Sequence, residues 1–520
     1  MQFTDPVYFL LLLPAACTLF YWATPRFGSS AGIFLLLGLS LLFYWTWGTP
    51  YLCLLIVSFT VNFAVAYNLL RLPDARPARR LCLYLGQLYN FGALIWFKYR
   101  LIVLIFSGTQ DGYSLLDAAI PAGISFYTFQ QAIFLVDAYH RDADLVAYLG
   151  DMRTLWGKLR GYLRHSFFVS FFAHLLIGPI VYLREFQPQI AGPHFGRFRR
   201  INVEAGAALV IIGLFKKLVV ADHLAPIADA VFGLKDVVLL HTQIPANTAW
   251  MAAFAYYAQL YFDFSGYSDL AIGSARMLGV RFPINFFSPL KSVGIVDFYR
   301  RWHITLTRVI SRFFYTPLSL AGARAGVAAH WSAIPLKAAS QWIPLIINFE
   351  MIALWHGARL TFLLFGVIHG LWYVIETEIR SSKRFKQWRN RSSAKFRGFA
   401  GRVVFLLVMT LTFALFRSAT LPGYLHVLQS LFSLNFAAAN LKPAIEVVGA
   451  LAIVWFLPNS MELLARYRPG IVTYPSKDYT PARLRWRWRP DGVWTVLMTG
   501  MLVASLYYAS HQPPFLYIGF

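Results

Sequence analysis

Long apolar runs separated by short polar, arginine-rich stretches set the pattern of this chain. A helix that crosses a bilayer needs roughly 20 mainly apolar residues. Windows of that kind fall near 7–24, 31–47, 51–70, 81–97, 162–183, 205–221, 248–263, 338–355, 360–376, 402–418, 445–458 and 491–510. The run 117–138 holds Pro121 and Gly123, which predicts a broken or re-entrant element. The stretch 298–320 alternates arginine with aromatic residues and reads as partly interfacial. The expectation is an all-α, polytopic integral membrane protein of about a dozen membrane helices, some re-entrant or interfacial. No soluble region, long linker or repeat interrupts the pattern, so residues 1–520 read as a single membrane domain.

Composition agrees. Of the 520 residues, 58% are hydrophobic and only 13% charged, too few charges to cover a soluble protein of this size. Tryptophan and tyrosine, 16 and 28 in number, suit bilayer interfaces. The formal charge of +24 would suggest nucleic acid in a soluble protein, but here the basic residues sit between apolar runs, which excludes that partner and fits loops facing anionic lipid. Residues 380–402 carry nine basic side chains and no acid; residues 466–489 carry seven against Asp478 alone. These loops, with the one after the third run, are expected to be cytoplasmic, which puts the N-terminus outside. The apolar N-terminal run lacks a basic lead-in and a cleavage site and reads as a retained helix. Residues 484–489 alternate Arg and Trp as an interfacial anchor, and the 380–400 loop is the expected mobile segment. Cys17, Cys53 and Cys82 lie in apolar surroundings without metal-ligand spacing.

Neither a phosphate-binding loop, nor HExxH, nor CxxC occurs, which argues against a transport ATPase, a zinc protease and a thiol oxidoreductase. Ionisable groups in apolar runs are costly and invite functional readings. Among twelve histidines, His140, His194, His241, His330 and His511 read as surface groups, and His165, His174 and His426 as packing residues. His356 ends an apolar run in Leu354-Trp355-His356-Gly357, where a neutral imidazole beside a flat indole and a glycine could take a proton from a hydroxyl. A structural hydrogen bond is the rival role. His303 follows Asp297-Phe298-Tyr299-Arg300-Arg301-Trp302; that cluster is either a structural knot with an Asp297–arginine pair or an anion site with His303 at its edge. His369 is 13 residues beyond His356; on one helix that is about 20 Å and roughly 220° away, so His369 reads as structural. Polar groups crowd Tyr261–Asp269, and Lys216-Lys217 precede Asp222 and His223; both stretches read as ion-pair networks or parts of a polar cavity. Glu350 has no partner nearby in sequence.

An ordered set of segments resembles the membrane-bound O-acyltransferase family, in particular its bacterial branch typified by alginate O-acetyltransferase membrane subunits. The set runs from Pro121-Ala122-Gly123-Ile124-Ser125-Phe126-Tyr127 through Ile177-Gly178-Pro179, Gly213-Leu214-Phe215-Lys216-Lys217 and Tyr261–Asp269. It continues with Arg281-Phe282-Pro283-Ile284-Asn285-Phe286 and Arg300-Arg301-Trp302-His303, and ends at Leu354-Trp355-His356-Gly357, a family-like core of about 121–370. The flanks Ile352-Ala353 and Ala358-Arg359, and the stretch Arg312-Phe313-Phe314, depart from the family pattern. The resemblance implies helices around a central funnel, with His356 and His303 as the two catalytic histidines. Trp355, Arg300, Arg301, Trp302 and Asp269 are the expected substrate-binding residues. It also implies an acyl-CoA, acetyl-CoA above all, as cytoplasmic donor substrate, with no bound cofactor and no metal. A hydroxyl acceptor in an exopolysaccharide or cell-envelope polymer follows, as do membrane lipid around the chain, a periplasmic acyltransferase or polysaccharide-complex partner, and a place in the bacterial inner membrane. A flippase, or a non-catalytic scaffold of a polysaccharide secretion complex, is the alternative reading.

Overall fold

The computed structural model describes residues 1–74, 77–106, 120–385, 387, 394–438, 440–473 and 486–509. Among them every regular element is helical, and the one strand-like pairing is an isolated bridge from Pro283 to Ile471. Two compact units emerge. The first takes Met1–Phe215, Gly266–Ile284 and the described residues from Ser460 onward; the second takes Lys216–Ser265 and Asn285–Asn459.

The first unit starts with apolar helices Leu13–Phe27, Ser29–Trp45, Thr49–Arg71 and Pro77–Phe106. Gly123, in the left-handed conformation at φ 75°, starts the helix Ile124–Tyr139 where the sequence predicts a break. In that helix all residues but Val136 and Tyr139 are buried. Its polar side chains are spent inside the fold: Gln131 donates to the Ser58 hydroxyl at 2.9 Å and Gln130 to the Phe168 carbonyl at 3.0 Å.

The window 162–183 is not one spanning helix. Helix Leu155–Ser170 stops at Phe171, Phe172–Leu175 makes a single turn, and helical structure resumes at Leu183–Ile190. Pro179 cannot donate to a helix, and Gly178 weakens one. The interruption survives in apolar surroundings because the freed backbone groups find partners. The Phe172 N–H donates to Ser40 Oγ at 3.0 Å, and His174 Nε2 lies 3.0 Å from the Phe168 carbonyl. His174 is thereby a hydrogen-bonded packing residue.

In the second unit, helix Ile343–His356 packs along Leu360–Ser381. The latter exposes Val367, Ile368, Leu371, Ile375 and Ile379 and buries Phe362, Phe365 and His369. This is the two-faced pattern of a helix with lipid outside and protein inside. The segment expected at the interface divides: Ile304–Ile310 is largely buried, and the chain continues helically into Thr316–Ala328, which is largely exposed. Val7–Phe27, Thr49–Arg71, Leu360–Ser381 and Gly398–Arg417 are long and apolar enough to span, and Ser29–Trp45 and Gly492–Tyr508 are shorter apolar helices. That supports a multi-pass membrane protein, with fewer clear spans among the described residues than the sequence windows suggest. The 380–400 loop and the 484–489 anchor lie partly outside the described residues.

A π-helical turn, Phe215–Ala221, leads into helix Asp222–Phe232 and carries Lys216 and Lys217 inward. The Lys217 ammonium sits 2.7 Å from a carboxylate oxygen of Asp222 and 2.7 Å from one of Asp263, with Lys217 2% and Asp263 1% exposed. The two polar stretches singled out in the sequence are thus one buried ion cluster. Removing the shared cation strands two carboxylates, a loss on the order of 3–5 kcal/mol for a buried pair. Lys217→Met should therefore lower the melting temperature of the detergent-purified protein sharply, and adding Asp263→Asn should recover part of it. A Lys217→Met protein that melts like wild type would show that the cluster carries no such weight.

Candidate functional site

All the geometry of the two candidate histidines is made within the second unit. His356 is the last residue of helix Ile343–His356. Gly357, at φ 151°, ends the helix there, and its N–H still donates to the Leu354 carbonyl at 3.0 Å. The Phe362 ring crosses the space a Cβ on Gly357 would enter, at 3.2 Å. Glycine at this position allows both the φ and the close ring. His356, 7% exposed, meets the Phe416 ring at 4.9 Å and the Trp355 ring at 4.8 Å between centroids.

His303 sits between the short helices Ile295–Tyr299 and Ile304–Ile310, in the left-handed region at φ 42°, ψ 49°. A histidine holds that conformation only where its surroundings fix it. Asn285 does the fixing. Its backbone carbonyl accepts from the Ile304 N–H at 3.0 Å. Its side-chain Oδ1 accepts from the Thr305 N–H at 3.3 Å and the Thr305 hydroxyl at 3.0 Å, and lies 3.1 Å from His303 Nδ1. An oxygen that only accepts requires Nδ1 to carry the proton, which leaves Nε2 with the lone pair. Burial lowers the pKa of His303, which lies outside the spanning helices, so the ring is neutral.

The two histidines meet one indole. The ring of Trp355 lies 5.7 Å from His303 and 4.8 Å from His356, centroid to centroid. Phe264, from the polar stretch Tyr261–Asp269, closes edge-on over His303 at 4.6 Å, and Phe286 stands beside Trp302 at 5.1 Å. Trp302 stacks on Phe298 at 5.3 Å. The result is an aromatic box around two imidazoles, dry enough to strengthen any charge interaction within it.

The segment 285–310 is tied to helix Leu360–Ser381 at two further points and braced once within itself. Tyr299 Oη and His369 Nδ1 are 2.7 Å apart. Glu376 accepts from the Ile295 N–H at 2.7 Å and pairs with Arg380 at 2.7 Å. Arg301 pairs with Asp297 at 2.8 Å. His369 is on a separate helix from His356, since Gly357 breaks the chain between them. It acts as expected, as a structural partner, here for the segment carrying His303.

The other expected site residues are spread. Arg301 is engaged by Asp297, and Arg300 is exposed. Asp269 belongs to the first unit, where it is 3% exposed and accepts from the Ser460 hydroxyl at 2.9 Å. Glu350 lies against Gly366, and its Oε1 has no hydrogen-bond partner among the described residues. Asn285 went unassigned at the level of sequence although its motif stood out; an asparagine 18 residues before a histidine carries no local sign that the two will meet. Among the described residues no cluster of three or more metal-binding side chains forms.

Known proteins resemble this chain over much of its length. Residues 108–421 match the family model for the membrane-bound O-acyltransferases. The chain is 33% identical over 415 residues to the peptidoglycan O-acetyltransferase of Helicobacter pylori, covering 76% of this chain and 73% of that one. It is similar along the full length of both chains, at 29% identity, to a protein of Pseudomonas putida named "Probable alginate O-acetylase". A teichoic acid D-alanyltransferase of Streptococcus thermophilus is 26% identical over 56% of this chain and 63% of that one. The chain belongs to the membrane-bound O-acyltransferase family.

Proposed function

We propose that this protein transfers an acyl group, acetyl in the first instance, from a cytoplasmic acyl-CoA to a hydroxyl of an exopolysaccharide or cell-envelope polymer. The observation that carries the reading is the meeting of His356 and His303 on Trp355, with Asn285 holding His303 in one tautomer. The named relatives act on peptidoglycan, alginate and teichoic acid, all polymers rich in hydroxyl groups, which supports the acceptor class.

In the proposed reaction a hydroxyl oxygen attacks the thioester carbonyl. A new C–O bond forms, the C–S bond breaks, and the proton lost by the hydroxyl ends on the departing thiolate. His356 serves as the general base for that proton. His303, neutral and with its lone pair on Nε2, assists by accepting a hydrogen bond from the acceptor hydroxyl and so orienting it. Trp355 supplies the apolar wall that fixes the relative attitude of the rings. We further propose an inner-membrane location with the N-terminus periplasmic, and a periplasmic acyltransferase or polysaccharide-complex partner that receives the acyl group. The basic loops support that orientation.

Two tests follow. Purified protein in detergent, given radiolabelled acetyl-CoA, should release or transfer label; His356→Gln should cut that rate by roughly a hundred- to ten-thousandfold at an unchanged melting temperature. Equal turnover by wild type and the folded variant would remove His356 from the chemistry.

Asn285 is a positioning residue, and it is separable from a merely structural one. Asn285→Asp keeps an acceptor for His303 Nδ1–H and adds a charge that favours the protonated ring. Asn285→Ala removes the acceptor. The expected order of kcat is wild type, then Asp, then Ala, with the Ala variant down by roughly ten- to a thousandfold. The pH profile of kcat should move upward for Asp, because the added carboxylate raises the imidazole's pKa. If Asp and Ala lose activity equally and share the wild-type pH profile, the tautomer argument is wrong.

A further inference from the structure

Five arginines converge on one cavity of about 620 Å³ built wholly from the first unit: Arg199, Arg276, Arg281, Arg466 and Arg468. Among the described residues that line it there is no carboxylate. The volume is that of a small-molecule site. Five guanidinium groups in one cavity repel one another, and the charges of Arg199 and Arg281 do oppose that of Arg276. Such a set is held together only by structure or by an anion.

Structure does part of the work. Gln189 clamps the backbone of Arg281 from both sides, accepting from its N–H at 2.8 Å and donating to its carbonyl at 2.9 Å. The bridge between Pro283 and Ile471 brings the second arginine pair alongside. The Ile471 N–H donates to the Phe282 carbonyl at 2.8 Å, and the Ile284 N–H to the Ile471 carbonyl at 3.0 Å. Arg276 donates through one terminal nitrogen to the Tyr467 carbonyl at 3.2 Å, which fixes its guanidinium against the turn that carries Arg466. Arg468 stands in the left-handed region at φ 45°. A second observation points to a ligand. The Arg276 Nε, closed off from solvent, has no hydrogen-bond acceptor among the described residues. A charged donor buried without an acceptor is costly, and an anion seated in the cavity would supply one.

We propose that this cavity binds an anion bearing two phosphate groups. Planar guanidinium forks match phosphate oxygens in pairs, and five of them with no carboxylate exceed what one phosphate can use. The two phosphates belong either to a soluble diphosphate or to the paired phosphodiesters of an anionic lipid such as cardiolipin, and the experiment separates these sources.

Arg466 and Arg468 are exposed, so replacing both spares the packed structure. Full-length protein in non-ionic detergent would be titrated calorimetrically with inorganic pyrophosphate, wild type beside the Arg466→Gln, Arg468→Gln double variant and Arg276→Gln. In parallel, each protein would be reconstituted in phosphatidylcholine bilayers with or without cardiolipin, and retained lipid counted by native mass spectrometry. Saturable pyrophosphate binding that weakens at least roughly tenfold for each arginine removed supports the site. Arginine-dependent retention of one cardiolipin assigns the anion to lipid, and pyrophosphate binding without it assigns a soluble ligand. A double variant that melts like wild type and binds both probes equally well overturns the proposal, as does wild-type protein that binds neither.

Discussion

One carboxamide oxygen receives three donors at Asn285, and much of the local order around the segment carrying His303 depends on it. The Thr305 N–H and hydroxyl and the His303 ring all reach Oδ1, while the Asn285 backbone carbonyl takes the Ile304 N–H. The first turn of helix Ile304–Ile310 begins with unpaired N–H groups, as every helix does, and His303 is in a backbone state that its side chain disfavours. The same bonds offset both costs and fix the imidazole's tautomer. Local backbone structure and proton chemistry are therefore not independent here. A change that relaxed the turn would also free the ring to exchange its protonated nitrogen.

The anchoring of that turn extends outward through pairs distant in sequence. Tyr299 reaches His369, and the Ile295 N–H reaches Glu376, so helix Leu360–Ser381 holds the segment from one side. That helix also follows His356 in the chain after Gly357. Both histidines thus refer to a single rigid helix, one through the hydrogen bonds it provides and one through the covalent chain. Trp355 sits where the two references meet. A dry aromatic box gains from this arrangement, because any charge formed on an imidazole is felt more strongly where water is excluded.

Hydropathy made the helices legible, and it did so because lipid imposes a single strong demand on composition. What it could not register is where backbone hydrogen bonds go once a run is interrupted. The window 162–183 is mainly apolar, yet the helix stops at Phe171, and the positions of Ser40 and His174 explain why the break is tolerated. His356 stood out from its immediate neighbours, Trp355 and Gly357. Its meeting with His303 on the same indole did not, since 53 residues and several helix packings intervene. Lys217 and Asp263 were each visible as costly charges, but their pairing is tertiary. Asn285 is the clearest case: a polar residue in a recognisable segment, whose role is defined entirely by what folds onto it.

Basic residues in this chain obey two different constraints. Arg79, in the basic stretch after the third apolar run, is buried and engaged by Asp74 and by the backbone carbonyls of Leu69 and Tyr139. The arginines of the first unit's cavity are constrained in a different way. The backbone of Arg281 is clamped by Gln189, the bridge from Pro283 to Ile471 lies close by, and no carboxylate among the described lining residues neutralises the set. Lys217 shows what the fold does when it means to bury a cation without a ligand: it brings two carboxylates to 2.7 Å. The cavity gathers five arginines, none of them fully buried, with no carboxylate among its described lining residues. Like charges gathered at one place repel and call for compensation, and the two sites differ in whether that compensation is built into the chain. That difference is the reason to read the cavity as a place for an anion rather than as one more stretch of basic surface.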